Sequence, residues 1–367
     1  MIENSFISRE ISKKIITVGS QYINHRGGIG SVIETYSKYY STFNFVCSYG
    51  TTRNKSAIIF KFLKSLIQLI ISLIKDKEIE IVHIHSAAKG SFFRKYIVYL
   101  IVKYVFDKKI VFHCHGSEME VFYLGSPKIV KNLMTSIFNN VDLIICLSNS
   151  WALFFNNNFK PRRIVVLENI IEEVLIKRVE DNQQKVLSFL FMGEIGNRKG
   201  LFDLLEVIAE NKKTFSGKMK LIIGGNGEIK RLEDFILNNE LADLVEFKGW
   251  VNGELKIKLF NEADVYILPS YNEGLPISIL EAMSYGLPII STLVGGIPEI
   301  ISSGKNGCLI NPGDKKAIYS SLRLFIQSPS LCNTYGKSSL EIVKPYFAKN
   351  VIPKLNSIYN QLLMSKS

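Results

Sequence analysis

The chain has 367 residues, 47% of them hydrophobic and 21% charged, which fits a globular protein with two domains of ordinary size. Its net charge of +12 indicates either an anionic partner or a merely lysine-rich surface. No zinc-finger, RRM or KH signature occurs, so nucleic acid is the weakest candidate for that partner and we expect none.

The basic charge is concentrated in the first half of the chain. Residues 1–177 hold 23 Lys and Arg against 13 Asp and Glu, a net charge of +10. Five cysteines form no C-x-x-C pair and leave one unpaired in any disulfide scheme, so we expect a reducing, cytoplasmic compartment. The first residues lack the apolar core of a signal peptide. No apolar run reaches about 18 residues, so we expect no membrane-spanning segment.

Short apolar runs of strand type alternate with helical segments along the chain. They cover residues 13–20, 43–50, 79–86, 109–116, 142–148 and 163–169 in the first half, and 185–193, 219–225, 244–250, 263–270, 287–292 and 307–310 in the second. Near-continuous apolar strands of this kind predict parallel sheets with helices on both faces.

The polar segment 172–185 separates the two series of strands. We therefore predict an α/β protein with two doubly wound domains that face one another, with the ligand in the cleft between them. The first domain is placed at residues 1–175 and the second at 184–345. A final helix at 346–367 is predicted to pack back toward the first domain.

Two segments of the basic half combine apolar and cationic residues. Residues 57–75 are almost all apolar except for Lys61, Lys64 and Gln68, which share one helical face. This pattern fits a helix that covers a parallel sheet, and it also fits a helix that lies in the plane of a membrane surface. Residues 91–104 repeat the combination, with Phe92 and Phe93 followed by Arg94 and Lys95.

Glycine-rich turns precede three predicted helices, at residues 24–30, 193–200 and 224–228. Glycines let a backbone approach a ligand, and a helix start offers free N–H groups to phosphate, although many such loops are only tight turns. Lys199 adds a cation at one helix entrance. The third glycine of a dinucleotide fingerprint is replaced by Ile33, so NAD is a poor candidate ligand.

Histidines come in two pairs near strand ends, His83 with His85 and His113 with His115. Alternate strand residues face one way, so the four imidazoles could bind a metal ion. Alternatively, His83 and His113 are packed or hydrogen-bonded core histidines. His115 differs because a loop follows it directly, so its ring could reach a cleft. No D-x-D sequence offers a carboxylate seat for a nucleotide-bound divalent ion.

The stretch "YNEGLPISILEAMSYGLPII" (271–290) places one glutamate at a strand–helix turn and another inside the helix that follows. Pro276 suits a first helical position, and Gly286 suits the end of the helix. Glu281 could accept hydrogen bonds from two ribose hydroxyls, and Glu273 could meet a sugar hydroxyl. A salt bridge on the helix surface remains the alternative for Glu281.

The E-x7-E spacing of Glu273 and Glu281 resembles the signature of the family 4 retaining glycosyltransferases. The segments "FMGEIGNRKGLFDLLEVI", "LIIGGNGE", "VEFKGWV" and "NGCLINPGD" follow the order of that family, and "RGGIGSVIETY", "IVHIHSAAKGSFFRK" and "VFHCHGSEME" are similar to its acceptor-domain motifs. The resemblance covers residues 13–345. It implies a GT-B architecture of two Rossmann-like domains, with the donor held mainly by the second, the acceptor by the first, and no required metal or other cofactor.

The resemblance also implies roles for individual residues. Glu281 would hold the ribose and Glu273 the donor sugar, with the backbone N–H groups of Gly274 and Leu275 beside the sugar or its phosphate. Lys199 and the Gly27–Gly28 loop would attend the diphosphate. His115 would lie beside the reacting sugar, as a positioning or polarising group rather than a general base.

One position departs from the family pattern. The family often has arginine directly after the glycine of the "FMG" strand, and Glu194 stands there in this chain. Arg198 would have to substitute, or the diphosphate would be held more weakly.

The predicted function is transfer of a hexose from a nucleotide sugar to a lipid-linked glycan in polysaccharide biosynthesis, with retention of anomeric configuration. We expect the enzyme at the cytoplasmic face of the plasma membrane, in peripheral contact with anionic lipid through residues that include Arg94 and Lys95. Two alternatives remain open: a metal-dependent hydrolase built on the histidine pairs, and a nucleotide-sugar-binding module without turnover.

Overall fold

The computed structural model describes residues 7–24, 27–50, 54–116, 118–174 and 186–365. The chain divides into two compact units, the first formed by Met1–Glu172 with Tyr346–Ser367 and the second by Glu173–Pro345. Most of the predicted linker, residues 175–185, lies outside the described residues, as do residues 25–26 of the first glycine-rich turn and the start of the predicted strand at 185–193.

The first unit is built on a parallel sheet of six strands in the order β2-β1-β3-β4-β5-β6. The strands are β1 (Ile15–Ser20), β2 (Asn44–Tyr49), β3 (Ile81–Ser86), β4 (Lys109–Cys114), β5 (Leu143–Cys146) and β6 (Ile164–Val166). The helices are α1 (Arg9–Ser12), α2 (Gly28–Ser37), α3 (Lys55–Lys75), α4 (Gly90–Tyr104), α5 (Met119–Gly125), α6 (Lys128–Asn140) and α7 (Asn149–Asn158).

The second unit repeats this architecture with the strand order β12-β11-β10-β7-β8-β9, again all parallel. Its strands are β7 (Leu187–Ile195), β8 (Met219–Gly227), β9 (Val245–Phe247), β10 (Val265–Leu268), β11 (Ile289–Thr292) and β12 (Gly307–Ile310). Its helices are α8 (Leu201–Glu210), α9 (Lys212–Phe215), α10 (Ile229–Asn238), α11 (Gly253–Glu262), α12 (Ile277–Ser284), α13 (Lys315–Gln327) and α14 (Ser330–Val343).

The last helix, α15 (Ala348–Met364), belongs to the first unit. Phe347, just before it, pairs with Ile171 in an isolated β-bridge. The Lys109 ammonium donates to the carbonyl oxygen of Leu362 at 2.6 Å, and Tyr359 is fully buried. The C-terminal segment therefore completes the core of the first unit after the chain has formed the second.

The predicted strands are present as strands, each within a few residues of its predicted bounds. Each is a compact apolar run, and the inner strands of both sheets are buried on both faces, whereas the edge strands are only partly buried. Two local details differ. The glycines of residues 224–228 lie in β8 rather than in a turn. Position 225 of that strand requires glycine, because a Cβ there would overlap the carbonyl oxygen of Gly193 on the neighbouring strand. Pro276 is the N-cap of α12 rather than its first helical residue.

Helix α3 is apolar on its exposed face as well as on its buried face. Phe62, Leu69 and Leu73 are buried in the core of the first unit. The opposite stripe is exposed and recurs at helical spacing, as Phe60, Leu63, Ile67, Ile71 and Ile74. Residues Ser56–Lys75 are long and apolar enough to cross a membrane by length and composition, with 22% of the helix window buried, whereas the sequence led us to expect no such segment.

Helix α4 carries a similar exposed stripe of Phe93, Ile97, Leu100 and Tyr104. Buried residues of α3 and α4 belong to the same core cluster. We call the ten exposed side chains of these two helices the apolar face: Ile59, Phe60, Leu63, Ile67, Ile71, Ile74, Phe93, Ile97, Leu100 and Tyr104.

Candidate functional site

The strand order of the second unit reverses between β10 and β7. In doubly wound sheets the crevice beyond the carboxyl ends of two such strands is where ligands bind. The chain leaves β7 into a short 3-10 turn, Asn197–Lys199, and leaves β10 into the loop that precedes α12. This topology brings Lys199 and Glu273 to the same end of the sheet, although they are far apart in sequence.

Lys199 and Glu273 form a buried ion pair at this position. The Lys199 Nζ atom lies 2.5 Å from Glu273 Oε1, and only 14% and 6% of the two side chains are exposed. The Ser270 hydroxyl donates to the same carboxylate oxygen at 2.7 Å. Glu273 Oε2 accepts no hydrogen bond from the residues that the structure describes. The carboxylate is thus held in one orientation with one oxygen available to a ligand hydroxyl.

The loop that carries Glu273 is fixed through its backbone by a pair of glycines. Gly295 has a φ of +56°, and a Cβ there would overlap the carbonyl oxygen of Glu273. The Gly296 N–H donates to the carbonyl oxygen of Gly274 at 2.6 Å. Gly274 and Leu275 are buried as a result of this contact, and their predicted role at the donor stays a prediction.

Glu281 lies in the second turn of α12 and pairs with Lys256 of α11, with Lys256 Nζ 2.6 Å from Oε1. The Glu281 side chain is 21% exposed. The salt bridge that the sequence allowed as an alternative is therefore present. It engages one carboxylate oxygen, and the other has no partner among the described residues. The ribose-binding role of Glu281 remains a prediction.

Arg198 binds the residue that departs from the family pattern. Its Nη2 atom donates to Glu194 Oε2 at 2.8 Å, and its Nη1 atom lies 3.4 Å from the carbonyl oxygen of Asn272. Exposed ion pairs of this kind contribute about 0–1 kcal/mol. A bound diphosphate could therefore take the guanidinium from Glu194 at little cost.

The four paired histidines of the first unit form one stacked cluster between β3 and β4. His83 Nε2 lies 3.2 Å from His113 Nδ1, and His85 Nδ1 lies 2.8 Å from His115 Nε2. His83 Nδ1 also lies 2.5 Å from the Tyr359 hydroxyl of α15. His83 and His113 are thus core histidines, as one of the two interpretations of the sequence had it.

Burial keeps these imidazoles uncharged. It lowers the pKa of His83 to about 3 and the pKa of His85 and His113 well below its ordinary value, and the neighbouring histidines lower each pKa further. Nitrogens of His83, His85 and His113 lie within 4.8 Å of one another, so the three could hold a metal ion. Both nitrogens of His83 already have hydrogen-bond partners, however, and a metal would have to displace one.

His115 lies where β4 ends, and it is the least buried of the four histidines. Its backbone N–H donates to the carbonyl oxygen of Ser86 at 2.8 Å, and its ring stacks on His113 at a centroid distance of 4.1 Å. Burial lowers its pKa to about 3, so the imidazole is neutral at physiological pH. A neutral ring suits positioning or polarising a substrate better than donating a proton.

The structure also places the other predicted residues of the first unit, Gly27, Gly28, Arg94 and Lys95. Gly27 and Gly28 are exposed at the start of α2, and their predicted contact with the donor stays a prediction. Arg94 is partly exposed, but Lys95 is 2% exposed and donates to the Ser48 hydroxyl. Lys95 therefore does not contact lipid head groups as the sequence led us to expect, because α4 turns it toward the sheet together with Phe92, three residues earlier.

Three contributors to these sites were missed at the sequence level: Ser270, Lys256 and Gly295. Ser270 could have been found, since it ends the predicted strand at 263–270, three residues before Glu273. Gly295 carries a signal in the "VGG" that follows β11, because a glycine pair after a strand is typical of close backbone approach. Lys256 carries no signal, as nothing in its local sequence separates it from other exposed lysines.

The uncharged histidines predict a loss of stability in acid. Below pH 6.5 the unfolded chain protonates its histidines while the folded protein does not, so the free energy of unfolding falls as pH decreases toward the folded pKa of about 3. Each such histidine contributes a slope of about 1.4 kcal/mol per pH unit.

His113→Phe removes one of these protons, so the slope between about pH 5.5 and pH 4.5 should decrease by about 1.4 kcal/mol per pH unit. Urea unfolding of the first unit, followed by Trp151 fluorescence in a Trp250→Phe background, measures it. Carboxylates titrate equally in both proteins and cancel in the difference. Equal slopes would show that His113 is protonated in the folded state.

Gly295→Ala should destabilise the second unit. Alanine at positive φ costs about 1 kcal/mol, and overlap with the Glu273 carbonyl adds to it. Gly217→Ala is the matched control, because Gly217 has a φ of +70° with no atom within 4 Å of the added Cβ. Urea unfolding followed by Trp250 fluorescence should show a loss at least about 2 kcal/mol larger for Gly295→Ala. Equal losses would mean that the loop does not need this contact.

Two family models match the chain in succession. The model described as Glycosyltransferase Family 4 matches residues 45–173, and the model described as Glycosyl transferases group 1 matches residues 173–341. An uncharacterized glycosyltransferase of Methanocaldococcus jannaschii is 25% identical over 298 residues, which cover 79% of this chain and 78% of the relative.

A putative colanic acid biosynthesis glycosyltransferase of Escherichia coli is 28% identical over 201 residues, 52% of this chain and 49% of that protein. Among solved structures, Anabaena HepE in complex with UDP and glucose superposes with a TM-score of 0.72 at 16% identity, covering 96% of this chain and all of the other. This likeness shows the fold, which is the GT-B architecture of two Rossmann-like units. Together the two family models run from residue 45 to residue 341, and the chain belongs to the family 4 glycosyltransferases.

Proposed function

We propose that this glycosyltransferase moves a hexose from a nucleotide sugar to a lipid-linked glycan during polysaccharide biosynthesis. The observation that carries the donor half of the proposal is the Lys199–Glu273 pair at the strand-order reversal of the second unit. The structural neighbour HepE is described in complex with UDP and glucose, and the E. coli relative is named for colanic acid biosynthesis. Family membership favours transfer over the hydrolase and over the module without turnover.

The second unit offers complementary groups to each part of a nucleotide sugar. The free oxygen of Glu281 accepts from ribose hydroxyls, and the free oxygen of Glu273 accepts from a hydroxyl of the sugar. Lys199 has one proton engaged by Glu273 and two left for diphosphate oxygens. Arg198 joins it by leaving Glu194, which makes Arg198 the replacement for the arginine that the family often has at the position of Glu194.

The reaction breaks the bond between the anomeric carbon and the diphosphate oxygen. Negative charge grows on the departing diphosphate, and Lys199 stabilises it in a buried setting where electrostatic interactions are strong. The acceptor hydroxyl attacks on the face that the diphosphate leaves, so the anomeric configuration is retained. The departing phosphate takes the proton of the acceptor hydroxyl, and neutral His115 positions the reacting sugar.

We propose that no metal ion takes part in this reaction. Cationic side chains of the second unit can balance the diphosphate charge, and no D-x-D sequence is present to seat a divalent ion. His83 bonds to His113 and to Tyr359 instead, and His85 bonds to His115. Burial, helped by the neighbouring histidines, explains their uncharged state.

The apolar face supports a peripheral position on a membrane. The exposed stripes of α3 and α4 present large apolar side chains to solvent from the basic half of the chain. The opposite side of α3 contributes Leu69 and Leu73 to the core, so crossing the bilayer would strip this helix from its sheet. A helix that lies in the plane of an anionic surface keeps both sets of contacts. The five free cysteines fit the cytoplasmic side of that membrane.

Glu281→Ala tests the donor site. Loss of a charged acceptor that binds ribose hydroxyls should weaken nucleoside diphosphate binding by about tenfold to a hundredfold. Titration calorimetry with UDP, GDP and ADP in EDTA measures it, and Glu262→Ala, on the exposed end of α11, is the control. Unchanged affinity in Glu281→Ala would refute the assignment of the donor site.

The apolar face predicts binding to anionic vesicles. A Phe60→Ser/Leu63→Ser/Ile67→Ser variant should bind phosphatidylglycerol vesicles more than about a hundredfold more weakly, because each buried side chain of this size contributes about 1.5–3 kcal/mol. Cosedimentation measures the partition, and Leu237→Ser, at an exposed leucine of the second unit, should have no effect. Failure of the unmodified protein to bind even at low salt would contradict the membrane part of the proposal.

A further inference from the structure

Three cations of the first unit surround the end of strand β2. The Lys95 ammonium donates to the Ser48 hydroxyl, and the Arg94 guanidinium lies 4.6 Å from the centre of the Tyr49 ring. The Lys61 ammonium lies so close to Gly50 that a Cβ there would overlap it. Three consecutive residues of the chain, 48–50, therefore each contact a different cation from α3 or α4.

No acidic side chain that the structure describes pairs with these cations. Within the described parts of the chain, no carboxylate lies within 4 Å of Lys61, Arg94 or Lys95, and the only side-chain oxygens bonded to the two ammonium groups are those of Gln21 and Ser48. The Nε atom of Arg94 is buried and has no hydrogen-bond partner among the described residues. A buried N–H donor of a charged group that stays unsatisfied is costly, which indicates that an anion completes the cluster.

The position of Lys95 separates this cluster from a general attraction to lipid. Lys95 is 2% exposed, so an anion reaches its ammonium only by entering the cluster, and head groups that stay in the plane of a bilayer do not. Burial, together with the charge of Arg94, lowers its pKa to about 7. An anion that enters the cluster would restore the charged form, because a nearby negative charge favours protonation.

The surroundings indicate what kind of anion fits. The cluster lies next to the strand-order reversal of the first unit, between β1 and β3, where a doubly wound sheet binds its ligand. Two of its cations directly follow exposed aromatic residues of the apolar face, Lys61 after Phe60 and Arg94 after Phe93. A ligand there would have its anionic group on the cations and an apolar chain along the face beside them.

We propose that Lys61, Arg94 and Lys95 bind the diphosphate that joins the acceptor glycan to its lipid. Guanidinium and ammonium groups together suit a diphosphate, since arginine binds phosphate oxygens in pairs and lysine acts as a point charge. This inference rests on the proposed function, because it names the anionic group of the acceptor. It adds Lys61 to Arg94 and Lys95, the two cations that the sequence indicated.

Farnesyl diphosphate below its micelle concentration is the probe, titrated calorimetrically against the full chain. Arg94→Gln and Lys95→Met should each weaken its binding at least about tenfold, and inorganic pyrophosphate should lose affinity in the same variants. Lys103→Gln, on the same helix and outside the cluster, should bind like the unmodified protein. Methionine suits the buried position of Lys95, and thermal unfolding checks that both variants fold.

A second measurement follows the number of protons that the protein takes up when the ligand binds. At pH 8, binding should take up a proton in the unmodified protein, because the anion raises the pKa of Lys95 from about 7. Titrations in buffers of different ionisation enthalpy measure this uptake, which should vanish in Lys95→Met. If Lys95 were only structural, the Lys95→Met variant would take up as many protons on binding as the unmodified protein.

Two results would overturn the proposal. One is farnesyl diphosphate that does not bind, or that binds equally to the unmodified protein and to both variants. The other is loss of phosphatidylglycerol vesicle binding in these variants with farnesyl diphosphate binding unchanged, which would assign the cluster to phospholipid head groups. Nucleoside diphosphate affinity, measured on the same variants, should be unaffected, so failure of the donor site is distinguishable from failure of this one.

Discussion

The buried ion pair of Lys199 and Glu273 is the interaction on which the proposed donor site of the second unit depends. It joins the turn after β7 to the loop after β10, the two strands between which the sheet reverses its order. A pair buried this deeply contributes little net stability, because desolvation offsets most of the attraction. Its consequence is orientation: Ser270 and Lys199 both bind Oε1 of Glu273, and the Gly295–Gly296 backbone holds the loop in place.

The first unit handles charge in the opposite way. Its histidines are buried without charge, bonded to one another and to the C-terminal helix through Tyr359. The cations at the end of β2, by contrast, have hydroxyl and amide partners but no carboxylate among the residues that the structure describes. The carboxylate of Glu273, which is paired with Lys199, is oriented to accept hydrogen bonds from substrate hydroxyls. The cations at the end of β2, which lack a described carboxylate partner, favour binding of an anion. The two units therefore suit different parts of a transfer reaction.

Much of the fold could be predicted from the sequence because the strands are compact apolar runs between turn residues, and buried parallel strands require such runs. The positions of Glu273 in a loop and Glu281 in a helix could also be predicted, since Gly274, Pro276 and Gly286 mark the loop and the helix around them. The burial of Lys95 could not be predicted. A helix pattern shows which residues share a face with Lys95, but only the sheet beneath α4 decides which face is buried.

Contacts between residues that are distant in sequence likewise could not be predicted. Lys256 reaches Glu281 from another helix, and Gly295 meets the Glu273 backbone from the loop after β11. Arg198 could be named as a candidate for the missing cation, but its bond to Glu194 depends on the turn that brings the two side chains together. Such contacts follow from tertiary packing, which local periodicity does not contain.

Thermal unfolding of the full chain in EDTA, with UDP, GDP, ADP, NAD and the common sugar conjugates, tests the central claim most directly. A ligand at about 100 times its dissociation constant stabilises the protein by roughly 2.7 kcal/mol, which raises the unfolding temperature by a few degrees. The account predicts a shift with one nucleoside diphosphate and its sugar conjugates, without metal, and none with NAD. No shift in EDTA, with a shift restored by zinc or manganese, would contradict a metal-free donor site.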